Sequence, residues 1–221
     1  MILITGASSG LGAALAELYS ADGTPLVLTG RSEQRLSSIA GNLSGQVQFN
    51  QADLCDSNKV AELLESLEQV PDTVIHCAGS GYFGPIEEQD PSEIDKLIQN
   101  NVTSTILLLR ELVKRYRNHK VNVVVVMSTA AQLAKAGEST YCAAKWAVRG
   151  LVESVRLELK GSPMKLIAVY PGGMATDFWK TSGKDLDTST FMTAEEAASM
   201  LKQALVGTEY GFVSDITINR N

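Results

Sequence analysis

Tyr141 and Lys145 stand four positions apart in the stretch YCAAK, with only Cys142, Ala143 and Ala144 between them. On a helix, positions four apart are neighbours on one face, so a phenol and an ammonium come side by side. A free phenol ionises near pH 10, and a nearby cation favours its charged form. The pair is therefore suited to general acid–base work, where a group acts best with a pKa near the working pH. The small residues between the two let such a helix lie close to a ligand. Ser128 follows the apolar run VNVVVVM (Val121–Met127). Its hydroxyl is expected at the carboxyl end of a buried strand, where open α/β sheets bind ligands, placed to hydrogen-bond a substrate oxygen near Tyr141. Cys142 has no histidine near it in the chain. Free cysteine commonly packs as a small apolar residue, and packing is its expected role.

A second group of residues is TGASSGLG (Thr5–Gly12), where a short apolar run gives way to Leu11–Ala21, of helical character. Glycines permit a tight turn and close backbone approach, and the bare N–H groups of a helix N-terminus favour an anion such as a pyrophosphate. This predicts a dinucleotide site built on Gly6, Ser8, Ser9, Gly10, Leu11 and Gly12. Where such sites hold both hydroxyls of the adenine ribose, a carboxylate lies about 20 positions after the glycine turn. That position is Gly30 here, and Arg31 follows it. Arg31 offers a planar, permanently charged donor fork suited to a 2′-phosphate, and Ser8 or Ser9 adds a hydroxyl. NADP(H) is the expected cofactor.

Alternating strands and helices must hold these groups. Strands are predicted at Met1–Thr5, Pro25–Thr29, Val47–Ala52, Thr73–Cys77, Val121–Met127, Lys165–Tyr170 and Phe212–Ile218. Helices are predicted at Leu11–Ala21, Glu33–Ala40, Lys59–Glu68, Tyr141–Lys160 and Ala194–Leu205, with a long one from Ser92, capped by its hydroxyl, to about Arg117. The alternation implies an α/β protein: a Rossmann-type, doubly wound parallel sheet of about seven strands with helices on both faces. One domain, 1–221, is expected. The polar stretch Thr181–Thr190 reads as a mobile insertion. Leu107, Leu108, Leu109, Leu112 and Val113 nearly encircle the long helix, and all-round apolarity means burial on more than one side, so a homodimer or homotetramer is expected.

The totals exclude several classes. The chain has 221 residues, 44% hydrophobic, with a formal net charge of -6, and shows no basic patch of the kind a nucleic-acid binder carries. Three scattered cysteines (Cys55, Cys77, Cys142) and two histidines (His76, His119) suggest neither a disulfide framework nor a metal site. The opening MILITGASSG lacks the basic region and longer apolar stretch of a signal peptide. No run approaches the roughly 18 apolar residues of a membrane span. A cytoplasmic protein without membrane or nucleic-acid partners is expected.

The glycine spacing T-G-x-x-x-G-x-G, with the motifs that follow it in order, resembles the short-chain dehydrogenase/reductase family over essentially the whole chain. Those motifs are Asp53-Leu54, Ala78-Gly79, Asn101 in NVTS, Ser128, Tyr141 with Lys145, Pro171-Gly172 and Thr176. The compact oxidoreductase branch fits; the extended branch, which includes sugar epimerases, has another glycine spacing and longer chains. The resemblance implies that Tyr141 exchanges a proton with a substrate oxygen while nicotinamide exchanges hydride with its carbon. It implies that Lys145 also binds the nicotinamide ribose and that Asn101 holds a water linking Lys145 to solvent. It places Asp53 near the adenine, and adds Leu54, Ala78, Gly79, Pro171, Gly172, Met174 and Thr176 to the cofactor site. His76-Cys77-Ala78-Gly79 departs from the family's frequent Asn-Asn-Ala-Gly; His76 is expected to be structural. Gly81, Tyr82, Phe83, Gln132, Leu133, Phe178 and Trp179 are candidate pocket residues, and their apolar, aromatic character suggests a small or medium hydrophobic carbonyl or alcohol. The segment Met174–Met192 is short, so an open site is expected. A dinucleotide-binding regulator without catalysis is the competing reading, with the full Ser128–Tyr141–Lys145 set against it. A structural assembly protein would bind no cofactor.

Overall fold

The computed structural model describes residues 1–184, 186–207 and 211–220. Asp185, within the segment expected to cover substrate, lies outside them. The chain alternates β1 (Ile2–Thr5), α1 (Gly10–Ala21), β2 (Leu26–Gly30), α2 (Glu33–Gly41), β3 (Val47–Gln51), α3 (Ser57–Glu65) and β4 (Thr73–His76). There follow α4 (Pro91–Ile98), α5 (Ser104–Tyr116), β5 (Asn122–Val126), α6 (Ser139–Glu158), β6 (Lys165–Pro171), α7 (Phe178–Thr181), α8 (Ala194–Ala204) and β7 (Asp215–Ile218). Among the described residues the strands form one parallel sheet in the order β3-β2-β1-β4-β5-β6-β7.

Strand β5 shows why both faces are covered. Successive side chains of a strand point to opposite faces. Val123 and Val125 join the cluster that includes Leu63 of α3, Leu108 of α5 and Val148 of α6. Val124 joins the opposite cluster, with Leu15 of α1, Leu36 of α2 and Leu201 of α8. A run of β-branched residues suits a strand buried on both sides. The chain runs outward from β1 to β3, then returns to set β4 beside β1. That reversal opens a crevice at the strands' carboxyl ends, the place where such sheets take ligands.

The expected long helix is broken. Between α4 and α5, residues Gln99–Thr103 form a π-helical turn, a feature that periodicity does not reveal and that often marks functional positions. Its N-cap is Asp90, not Ser92. The Asp90 carboxylate accepts from the backbone N–H groups of Ser92 and Glu93, with Pro91 in the first turn. Proline fits there because its missing N–H has no intrahelical partner to lose. The last strand begins at Asp215 and not at Phe212, which lies exposed before it. Thr181–Thr190, expected as a mobile insertion, starts inside α7 and is tied down near its start: Phe83 N–H donates to Ser182 O (3.0 Å), and Lys184 pairs with Glu138 (3.2 Å).

Candidate active site

The glycine turn forms the floor of a cavity of about 930 Å³ along the carboxyl edge of the sheet. Gly6 is left-handed (φ 66°), and a Cβ there would lie 2.7 Å from Ala78 N, so the β1 turn rests directly on the β4 turn. A Cβ on Gly12 would come 2.4 Å from Gly6 O. Both contacts need glycine. Ser9 caps α1 with its backbone only, its side chain making no capping bond, so the first-turn N–H groups of α1 remain available to an anion.

Every residue predicted for the cofactor lines this cavity: Gly6, Ser8, Ser9, Gly10, Leu11, Gly12, Arg31, Asp53, Leu54, Ala78, Gly79, Tyr141, Lys145, Pro171, Gly172, Met174 and Thr176. At the far end of β2, Gly30 packs against the glycine turn: a Cβ there would sit 3.4 Å from Ser8 Oγ. Arg31 Nη1 donates to Asn100 Oδ1 (3.1 Å). Arg35, in the first turn of α2, also lines the cavity. Sequence reasoning missed it, although a second arginine four positions after Arg31 was visible in RSEQR. The residues therefore fit a nicotinamide dinucleotide: open helix N–H groups, a glycine cradle that side chains would fill, and two arginines at the end of β2.

Ser128, Tyr141 and Lys145 meet on the wall of this cavity, the Ser128 hydroxyl hydrogen-bonded to the Tyr141 phenol. Ser128 follows β5 and caps a short 3-10 turn, its hydroxyl accepting from Ala130 N–H (3.1 Å). Tyr141 and Lys145 face the cavity from the first turns of α6, with the ammonium 5.5 Å from the ring centroid. Asn101 does not reach the cavity wall. It sits behind Gly79 in the π turn, its Nδ2 donating to Ser80 O and Leu97 O (2.9 Å each). A Cβ on Gly79 would lie 2.8 Å from Asn101 Oδ1 and 3.3 Å from Lys145 Nζ, so the two groups flank one point.

The electrostatics correct one expectation. Burial pushes the Tyr141 phenol well above its usual range, Glu138 adds to this, and only the Ser128 hydroxyl works against it. Burial also drives Lys145 down to about 8. The lysine field thus does not outweigh desolvation here. The cause is an aromatic wall. Phe83 stands edge-on to Tyr141 (5.2 Å), Phe178 tilts over it (5.9 Å), and Trp179 stacks on Phe83 (5.7 Å). A methyl on Gly81 would strike Phe178 at 2.5 Å. The site expected to be open is covered on this side.

Gly81, Tyr82, Phe83, Phe178 and Trp179 line the cavity as predicted, but Gln132 and Leu133 do not. Gln132 turns away to donate to Thr217 Oγ1 (3.1 Å), and Leu133 is exposed. Glu138, also missed, is a buried carboxylate on the cavity wall, paired with Lys184. Its position three before Tyr141 on a helix could have found it. His76 is buried at the end of β4 and held down to about 3 by burial and by Lys145; it does not touch the cavity. Among the described residues no cluster of metal-ligating side chains occurs, and no helix is long and apolar enough to cross a membrane.

Known proteins share this fold. The family model described as short chain dehydrogenase matches residues 1–187. A short-chain dehydrogenase/reductase from Vibrio parahaemolyticus is 59% identical, with all of both chains covered and a TM-score of 0.94. A short-chain dehydrogenase from Sphingobium yanoikuyae, solved with NADPH, is 28% identical over 97% of this chain and 86% of that one (TM-score 0.85). An uncharacterized oxidoreductase from Staphylococcus epidermidis is 28% identical over 98% of this chain and 95% of its own length.

Proposed function

Since the chain belongs to the short-chain dehydrogenase family, we propose that it is an NADP(H)-dependent oxidoreductase acting on a small or medium, hydrophobic carbonyl or alcohol. The observation that carries this reading is the meeting of Ser128, Tyr141 and Lys145 on the wall of the cavity that begins at the glycine turn. When bound, the nicotinamide supplies or accepts the hydride. Ser128 orients the substrate oxygen. Tyr141 Oη gives that oxygen a proton during reduction and takes one during oxidation. Lys145 holds the nicotinamide ribose, and its charge favours the phenolate whenever the proton has left. Burial keeps the proton on Tyr141, the form a donor needs, which suits carbonyl reduction. Phe83, Phe178 and Trp179 offer a ring-lined surface to an apolar substrate and keep water from the phenol.

The choice of NADP(H) over NAD(H) is supported by Arg31 and Arg35 beside a side-chain-free Gly30, and by the NADPH in the Sphingobium yanoikuyae protein. Hydrogen bonds to charged groups contribute ~1.5–3 kcal/mol, which corresponds to a preference of roughly tenfold to a hundredfold. We expect the dissociation constant for NADPH to lie below that for NADH by this factor, and Gly30→Asp with Arg31→Ala to reverse the order. Equal constants in the wild type would show that the arginines do not read the phosphate. Screening ketones, aldehydes and quinones for NADPH oxidation tests the activity.

A further inference from the structure

A buried line of hydrogen bonds runs beneath the site from β1 to the π turn. Thr5 Oγ1 lies 2.7 Å from His76 Nδ1. His76 Nε2 lies 2.9 Å from Thr105 Oγ1. Thr105 Oγ1 donates to Asn101 O at 2.6 Å. All four residues are at most 2% exposed. The direction of each bond follows from counting protons. A carbonyl only accepts, so the single hydroxyl proton of Thr105 goes to Asn101 O. Towards the imidazole, Thr105 is then an acceptor, so Nε2 carries a proton. The ring is buried and faces Lys145, both of which keep it neutral, so Nδ1 is bare and accepts from Thr5. One tautomer satisfies every group.

The line ends at the residue flanking Lys145. Thr105 holds the backbone oxygen of Asn101 inside the π turn, while Ser80 O and Leu97 O hold its Nδ2. Its Oδ1 is left buried without a hydrogen-bond partner, beside the point that Lys145 Nζ also flanks. A buried unpaired acceptor is costly, and the Lys145 ammonium is the cation that flanks the same point at Gly79. We propose that His76, as its neutral Nε2–H tautomer between Thr5 and Thr105, is the positioning residue that sets the Asn101 carboxamide oxygen against Lys145. The inference takes from the proposed function only that Lys145 matters to it. The titratable groups facing Lys145 are Tyr141, Cys77 and His76; Asn101 adds a neutral acceptor whose place His76 fixes through Thr105.

The test uses the free protein, with no substrate or cofactor, so it stands apart from any turnover measurement. Long-range proton–nitrogen NMR reads the His76 tautomer directly, and carbon-labelled lysine reads the titration of Lys145, assigned by its loss in Lys145→Met. The expected spectrum shows a neutral ring protonated on Nε2 at pH 7. In Thr105→Val the line is cut and the backbone oxygen of Asn101 loses its side-chain donor, so the π turn shifts and carries Asn101 Oδ1 away from the ammonium. Its titration midpoint then falls by about half a pH unit or more, while Thr105→Ser, which keeps the hydroxyl, leaves it in place. A purely structural role would lower the melting temperature without moving this midpoint. If Thr105→Val does not fold, His76→Asn, too short to reach Thr105, carries the same expectation. A proton on Nδ1 in the wild type, or an unmoved midpoint in the severed variant, overturns the proposal.

Discussion

At the scale of single residues, the candidate groups stood out in the sequence because their chemistry is distinctive and their order matches the family's motifs. Tyr141 with Lys145 suggests a proton-transfer pair only together with the other motifs of the resembled family, and Gly30-Arg31 suggests a 2′-phosphate by the absence of a carboxylate. Their ionisation was not readable. It depends on Phe83 and Phe178, which reach Tyr141 from loops distant in sequence. Gln132 and Leu133 failed as pocket residues for the same reason: a loop's composition does not say where its side chains point. His76 yields a pH prediction. Its folded-state pKa, about 3, lies below the usual 6.5, so the unfolded chain binds the extra proton first. Its contribution to stability is complete above pH 6.5 and is lost as pH falls from there towards 3, by up to ~1.4 kcal/mol per pH unit. His76→Gln removes the titration. Chemical denaturation between pH 7 and pH 4 should show a shallower loss for that variant than for the wild type; parallel curves would contradict the assigned neutral state.

At the scale of elements, strand and helix types followed from periodicity, while interruptions did not. Ile94, Leu97 and Ile98, then Leu108, Leu109 and Leu112, keep one helical phase at about 100° per residue, so the periodicity gave no sign of the π turn between them. That turn carries Asn101 and so matters to the site more than either flanking helix. The cap was misread because Ser92-x-x-Asp95 mimics a capping pattern, whereas Asp90-Pro91 supplies both an acceptor and a residue without an N–H. The cover over Tyr141 was likewise hidden. It consists of α7 and the turn after it, held by Phe178 and Trp179 on Phe83 and by Lys184 on the buried Glu138. Lys184 is about one-third exposed, so its loss in Lys184→Met should cost about 1 kcal/mol, or 2–4 °C in Tm. In a Trp146→Phe background, leaving Trp179 as the sole tryptophan, acrylamide should then quench Trp179 more strongly than in the parent. Unchanged quenching would mean that the ion pair does not hold this cover.

At the scale of the whole molecule, the alternation announced a doubly wound parallel sheet, while its strand order, and with it the crevice between β1 and β4, came from the structure. The association state rests on less. Leu108, Leu109 and Leu112, read as a surface for a second copy, are buried within their own chain. What remains outward is Ile106 on α5 and Trp146 and Leu157 on α6, each at least 42% exposed. We propose that these faces still pair two or four copies, since large apolar side chains gathered on neighbouring helices mark contact surfaces. Light scattering at micromolar concentration should give a mass two or four times 23.7 kDa; a monomer alone would remove the proposal. The central claim, that Tyr141 moves the substrate's proton, is tested most directly by one substitution. With a carbonyl found in the NADPH screen, Tyr141→Phe should lower kcat by ~10²–10⁴-fold and leave the NADPH dissociation constant nearly unchanged, because only a hydroxyl is lost from an intact helix. Turnover within about threefold of the wild type, far short of a general acid's contribution, would contradict it.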